Sequence, residues 1–338
     1  MDIPKVKLTR AWLAAATALG AAVLIAIAVW LLGPAAPGAH DPFADTRPPP
    51  GLAERFYPPE NWAWGLIQIG DAPAQRYGVG APPVVARADV LILPDDGESA
   101  ETWFETARDL QGAGYAVWVL EGVGQGGSGR SATSRFDADV AATRGMIDTV
   151  IRPQPRRPLI LLGEGAGGFV AARAVEAGAS PAALILSGAD CGAPPAAGDW
   201  RRDGPDDFAA HRTHDAWRGA VTHAWQVINP DLRLGGPSPQ WRAALADLQS
   251  RTAADAARIQ VPTLTLQAQP SPGCLAPPGT VLRTIPGAGP ALELEDDARR
   301  GPWLAAIRAD IAAAAARADP GASGLVPQPE LPKPDGRR

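Results

Sequence analysis

The sequence predicts an α/β domain: a mostly parallel sheet with helices on both faces. Three observations carry this. Short apolar runs alternate with helical stretches along the chain, the order that builds a parallel sheet covered on both sides. The runs are continuously apolar, as strands buried on both faces are. Glycines and prolines punctuate the joints between them.

A short opening hairpin is expected at Trp64–Ile69 and Arg76–Val79. Asp89–Leu93 (DVLIL) is the first continuous run. A helix follows over Ala100–Ala113, stopped by Gly114. Next come Ala116–Leu120 (AVWVL), a helix near Phe136–Ile151, Leu159–Leu162 (LILL), a helix at Ala166–Ala177 and Ala183–Leu186 (ALIL). The stretch from Ala189 to Ile259 has no strand pattern and holds Trp200, Trp217, Trp225 and Trp241, which reads as a helical cap inserted over the sheet. The core resumes with Thr263–Leu266 (TLTL) and Val281–Ile285 (VLRTI). An Ala-rich helix from about Asp296 to Arg317 closes it.

The chain's ends fall outside this pattern. Ala11–Leu32 is uncharged and apolar, and about 20 such residues span a bilayer as a helix. Lys5, Lys7 and Arg10 precede it, while Arg47 alone follows within fifteen residues. This bias places residues 1–10 in the cytoplasm. Residues 11–33 are then a transmembrane anchor in the inner membrane, and the main domain faces the periplasm. A cleaved signal peptide is the rival reading. Its apolar core of roughly 7–15 residues is shorter than this run, and Pro34 and Pro37 interrupt the cleavage sites on offer. Residues 34–59 read as a Pro-rich linker, 60–318 as the domain, and 319–338 as a disordered Pro-rich tail.

Composition excludes several functions. A net charge of −5 without a basic patch argues against nucleic acid. Two cysteines are too few for a disulfide scaffold or a thiolate zinc site. Gly124, Gly126, Gly127 and Gly129 lack the Lys-Ser/Thr ending of a phosphate loop and the context of a dinucleotide fold. No cofactor or metal is expected.

Several stretches carry a resemblance: Leu91–Glu105 (LILPDDGESAETWFE), Gly114–Arg130, Leu161–Gly168 (LLGEGAGG), Thr213–Asp215 (THD), Asn229–Trp241, Val261–Ala268 and Ile285–Asp297. In this order the chain resembles the α/β-hydrolase superfamily over roughly residues 60–315. It is similar in particular to the lysophospholipase and monoacylglycerol-lipase-like branch, often grouped with serine aminopeptidases. The resemblance implies an α/β-hydrolase fold with a helical cap, and hydrolysis of carboxylic esters by a Ser–acid–His triad.

The motif positions do not carry that triad. In this fold the serine stands on a Gly-x-Ser-x-Gly corner after the fifth strand. An acid orients the histidine that takes its proton, and two N–H groups hold the oxyanion. Here the corner reads Gly163-Glu164-Gly165-Ala166-Gly167, so Gly165 stands at the nucleophile position. The acid aligns with Ser271 and the histidine with Pro290, which has no side-chain proton to exchange. The oxyanion positions align with Asp96 and Ala166, and the carboxylates of Asp95 and Asp96 would oppose an anion there. The histidines are His40, His211, His214 and His223, and none follows the last strand.

These residues predict a pseudoenzyme that binds an acyl or lipid-like ligand, or a protein partner, without turnover. The rival is an active lysophospholipase or esterase with a rebuilt site drawing on a cap residue such as His214. His214 with Asp215 reads as a buried polar pair holding the cap, and Glu164 as a helix-start acid favoured by the dipole. Ser128 reads as turn chemistry, and the cap tryptophans read as packing. Cys191 and Cys274 follow neighbouring strands in this fold, so an oxidising compartment would favour a disulfide between them.

Overall fold

The computed structural model describes residues 42–130, 136–153, 156–189, 209–233, 238–269, 275 and 277–319. The anchor at 11–33, Ser271, Cys191, Cys274, Trp200 and residues 320–338 lie outside them. Among the described residues no helix is long and apolar enough to cross a membrane.

An eight-stranded sheet has the order β1-β2-β4-β3-β5-β6-β7-β8. The strands are β1 (Ala63–Ile67), β2 (Gln75–Gly80), β3 (Asp89–Leu93), β4 (Ala116–Leu120), β5 (Leu159–Glu164), β6 (Ala183–Ser187), β7 (Thr263–Gln267) and β8 (Val281–Thr284). β1, β2 and β4 pair antiparallel, and every pairing from β4 through to β8 is parallel. The continuous apolar runs sit at the centre, where β3, β5 and β6 are buried along their full lengths.

The helices are α1 (Phe104–Gly112), α2 (Phe136–Gly145), α3 (Gly165–Glu176), α4 (Ala216–Gly219), α5 (Val221–Ile228), α6 (Pro239–Asp255) and α7 (Asp297–Ala318). Side chains alternate across a strand, so each strand feeds two cores. Leu91, Leu161 and Leu184 pack with Phe169 of α3 and Leu245 of α6 on one face. Val90, Ile160 and Ile185 pack with Leu110 of α1 and Ile307 of α7 on the other.

Three local differences from the sequence-based expectation have physical causes. The helix expected over 136–151 changes at Met146 into a π-helical turn, and Arg152 closes it in the left-handed region. Within the segment expected to be cap, α6 turns Trp241, Leu245 and Leu248 into the core layer that also holds α3. Residues 42–59, expected to be linker, lie on the domain as a strap. The Phe43 N–H donates to the Gly127 carbonyl at 2.9 Å, and Thr46 Oγ1 donates to Glu101 at 2.8 Å. Arg47 exchanges hydrogen bonds with the Asn229 side chain at 2.8 and 2.9 Å, and Phe56 is buried.

Candidate functional site

The site lies at the carboxyl ends of the parallel strands, where ligands bind in open α/β sheets. β5 ends at Glu164 and α3 begins at once with Gly165. The corner is too sharp for ordinary backbone, and Gly165 takes φ +49, a conformation glycine adopts without a Cβ clash.

The loop after β3 brings a carboxylate against this corner. Asp95 Oδ1 accepts the Ala166 N–H at 2.7 Å, and a Cβ built on Gly165 would fall inside the Asp95 carboxylate. Asp95 Oδ2 accepts from Arg212 Nη1 at 2.9 Å. An N–H at a helix start is the donor an oxyanion would need, and here it is held by a resident carboxylate that a guanidinium neutralises. Burial alone would lower the pKa of Arg212, but Asp95, Glu98 and Glu293 outweigh it and hold the guanidinium charged. Asp96, the other sequence candidate for this position, turns away and accepts from Gln125 Nε2 at 3.0 Å.

On the far rim, Gly289 N–H donates to Glu295 Oε1, and Pro290 beside it is exposed. Glu295 also meets His214, with Nδ1 2.8 Å from Oε1 and the His214 N–H donating at 3.2 Å. Burial works against the Glu295 charge, yet the Gly289 N–H and His214 hold its carboxyl below the usual range. The expected His214–Asp215 pair is therefore corrected. The partner of His214 is Glu295, and its side chain is 51% exposed. Asp215 instead caps α4 through the N–H groups of Trp217 and Arg218, at 2.9 and 3.0 Å. Of the cap tryptophans described, Trp225 and Trp241 are buried and Trp217 is 72% exposed. Ser128 accepts the Arg76 N–H at 2.8 Å, inside its turn.

Behind the Asp95–Arg212 pair lies a group of which sequence reasoning named only Glu164. Glu98, Glu164 and Glu293 are all buried. Burial, reinforced by Glu293, pushes the Glu98 carboxyl well above its ordinary range. Burial also lifts Glu164 well above it, against Ser187 and helped by Glu98 and Asp95. Burial and then Glu164 push Glu293 up to about 8. Trp103 Nε1 donates to Glu98 Oε2 at 2.9 Å, while neither oxygen of Glu293 meets a donor among the described residues. Glu98 and Glu293 lie close enough for each to act on the other's titration. The dipole-favoured acid expected at Glu164 is thus a buried one whose carboxyl is pushed well above its ordinary range. Beside the corner is a cleft of about 330 Å³ of free space, part of it open to solvent, with Leu93, Leu120, Gln125, Phe136, Ala166 and Val170 among its lining. Among the described residues no group of His, Cys, Asp and Glu is set to hold a metal.

A mostly parallel eight-stranded sheet with a strand-to-helix corner after β5 defines an α/β hydrolase fold. Residues 85–272, more than half of the chain, match the serine aminopeptidase S33 family, and the chain belongs to that family. Among solved structures it is similar to a soluble variant of monoglyceride lipase from Saccharomyces cerevisiae (16% identity, TM-score 0.56, 79% of this chain and 98% of that one). It is also similar to the monoacylglycerol lipase of Paleococcus ferrophilus (18%, 0.53, 71% and 99%). A third is a carboxyl esterase from Bacillus coagulans (14%, 0.54, 75% and 99%). At these identities the likeness shows the fold. No curated protein matches the chain in sequence.

Proposed function

We propose that the chain is a membrane-anchored member of this family that binds without turnover, a pseudoenzyme taking an acyl or lipid-like ligand or a protein partner in place of an ester to be cleaved. The observation that carries this is the 2.7 Å hydrogen bond from the Ala166 N–H to Asp95. A carboxylate fills the space where a nucleophile and a developing oxyanion would both stand, and a second anion there would meet like charge. Gly165 and Pro290, at the positions that the resemblance gives to nucleophile and base, offer neither function. Residues 11–33 would tether the domain outside the cytoplasm, as the charge bias of the N-terminus favours.

A rebuilt esterase is the second reading. Its support is the His214–Glu295 pair, in which a carboxylate holds one ring nitrogen of a half-exposed histidine on the same rim. The two readings part in one experiment. The full chain in detergent micelles is incubated with short- and long-chain p-nitrophenyl esters and with a fluorophosphonate probe. We expect no hydrolysis above the buffer rate and no labelling. Turnover that disappears in His214→Ala would establish the second reading and end the first.

A further inference from the structure

We propose that residues 325–331 (LVPQPEL) of this chain pair with the exposed edge of β8 as a ninth, parallel strand. Among the described residues β8 is the last strand of the sheet, yet it is not built as an edge. Edge strands are ordinarily guarded by charge, by proline or by a covering element. β8 places apolar side chains on both faces instead. Val281 extends the row of Leu264 on the α7 side and is 53% exposed. Leu282 extends the row of Thr265 on the other side and is 54% exposed. Arg283 is the strand's one charge. The Ile285 N–H, next in the chain, donates to the Gln267 carbonyl of β7 at 2.8 Å. Backbone groups alternate in direction along a strand. Leu282 and Thr284 therefore turn their N–H and C=O groups outward, where no strand of the described residues meets them.

The chain's course selects the occupant. Trp303, near the start of α7, donates to Ser187 Oγ at the end of β6 at 2.8 Å, and Arg317, near the end of α7, reaches the Ala182 carbonyl just before β6 at 3.5 Å. α7 thus runs back along β6 and ends beside the amino ends of the strands, where β8 begins. The six residue steps from Asp319 to residue 325 cover up to about 20 Å. A ninth strand stands three strand spacings from β6, about 14 Å, which leaves length for the step from the helix layer to the sheet. Pro320, Gly321 and Gly324 suit the turn. Composition alone leaves such a stretch without structure of its own, and a sheet edge supplies the hydrogen-bond partners it lacks. The prolines set the phase. Pro327 and Pro329 are two apart, so both missing N–H groups fall on one side of an extended strand, and the N–H groups of Val326, Gln328 and Glu330 fall on the other. Proline is found in sheets on edge strands, in this outward-facing position. A residue before proline favours the extended region, as Val326 and Gln328 would here. Pro332 is the first proline on the inward phase, and it ends the stretch. With Val281 beside Val326, Leu282 meets Pro327, the Gln328 N–H donates to the Leu282 carbonyl, and Glu330 comes within reach of Arg283. The new outer side, closed by two prolines, offers no ladder to a further strand.

The test uses the full chain in detergent micelles. p-Benzoylphenylalanine replaces Val281, and after irradiation and trypsin digestion the cross-linked peptides are mapped by mass spectrometry. Hydrogen exchange at the Leu282 and Thr284 amides is followed in wild type, Pro327→Ala and Gln328→Pro. We expect an adduct within one chain between position 281 and residues 325–331. Exchange at both amides should be slow in wild type and in Pro327→Ala, which alters only the outward phase. It should be several-fold faster in Gln328→Pro, which removes an inward donor and sets a ring against the Leu282 carbonyl. Adducts between two chains would give the edge to a second copy and overturn the proposal. The absence of any adduct to residues 325–331, or equal exchange in all three proteins, would overturn it as well.

Discussion

Gly165 shows how one residue position is fixed by two neighbours at once. Its φ of +49 is a region where a residue with a side chain is strained, at a cost on the order of 1–3 kcal/mol. The space its side chain would need is already filled by Asp95. Gly165→Ser should therefore lower the denaturant midpoint by more than strain alone. Asp95→Gly should return part of the loss, so that the double variant is more stable than the sum of the single changes, as contacting residues require. Neither variant should hydrolyse esters. Equal stability of Gly165→Ser and wild type would show that neither strain nor overlap operates at the corner. The glycine itself was legible in the sequence, because a corner motif without its hydroxyl is visible in a string of letters. Asp95 was legible only as an unwelcome charge. Its partner Arg212 lies 117 residues further on, and no local pattern announces a pairing at that separation. The same distance effect hid Glu295, 81 residues from His214, and made the adjacent Asp215 look like the partner.

Among the elements, the central strands were readable because burial on both faces leaves an unbroken apolar run, and β3 and β4 fall where DVLIL and AVWVL predict. The strap was not readable, since prolines and polar residues look like linker whether or not a surface waits for them. That surface is organised by Arg76, which is fully buried. It donates to Glu101 at 2.8 Å and to Glu121 through both Nε and Nη2, and it reaches the Ala44 carbonyl of the strap at 3.1 Å. It also stacks on Trp64, 4.2 Å from the ring centroid, and lies over Phe43 of the strap. Removing one partner of a buried ion network strands the others, at a cost of about 3–5 kcal/mol. Arg76→Met should lose stability on that scale, and protease should cut near residues 42–47 at denaturant concentrations that leave the wild-type strap intact. Adding Glu101→Gln and Glu121→Gln should recover most of the loss, because no buried charge is then left uncompensated. A single Arg76→Met with an unchanged midpoint would mean that the strap is held by its backbone bonds alone.

The whole molecule carries its least expected property behind the site, where three elements each bury a carboxyl. Glu98 comes from the loop after β3, Glu164 from the end of β5 and Glu293 from the turn before α7. The facing groups are Asp95, Arg212, Ser187 and the indole of Trp103. One guanidinium cannot neutralise four carboxylates, so the folded state keeps protons on the buried ones, and Glu293 holds its proton up to about pH 8. The sign of the stability change follows. The unfolded chain releases these protons near the ordinary carboxylate value of about 4.3, whereas the native protein still binds them well above it. Between those limits the native state binds more protons than the unfolded one, so stability falls as pH rises. The contribution is complete below the unfolded value and is lost as pH climbs through the folded value near 8. Ordinary domains, whose carboxylates are stabilised in the charged form, lose stability toward acid instead. Glu293→Gln should separate this effect from the rest. It keeps the shape, removes the titrating group and offers Glu98 a permanent donor. The variant should gain several kcal/mol over wild type at pH 8 and much less at pH 5, and its midpoint should vary less across that window. Urea titrations of both proteins in the same detergent at pH 5, 6.5 and 8 measure this, and a wild-type midpoint that rises steadily from pH 5 to 8 would contradict a protonated cluster.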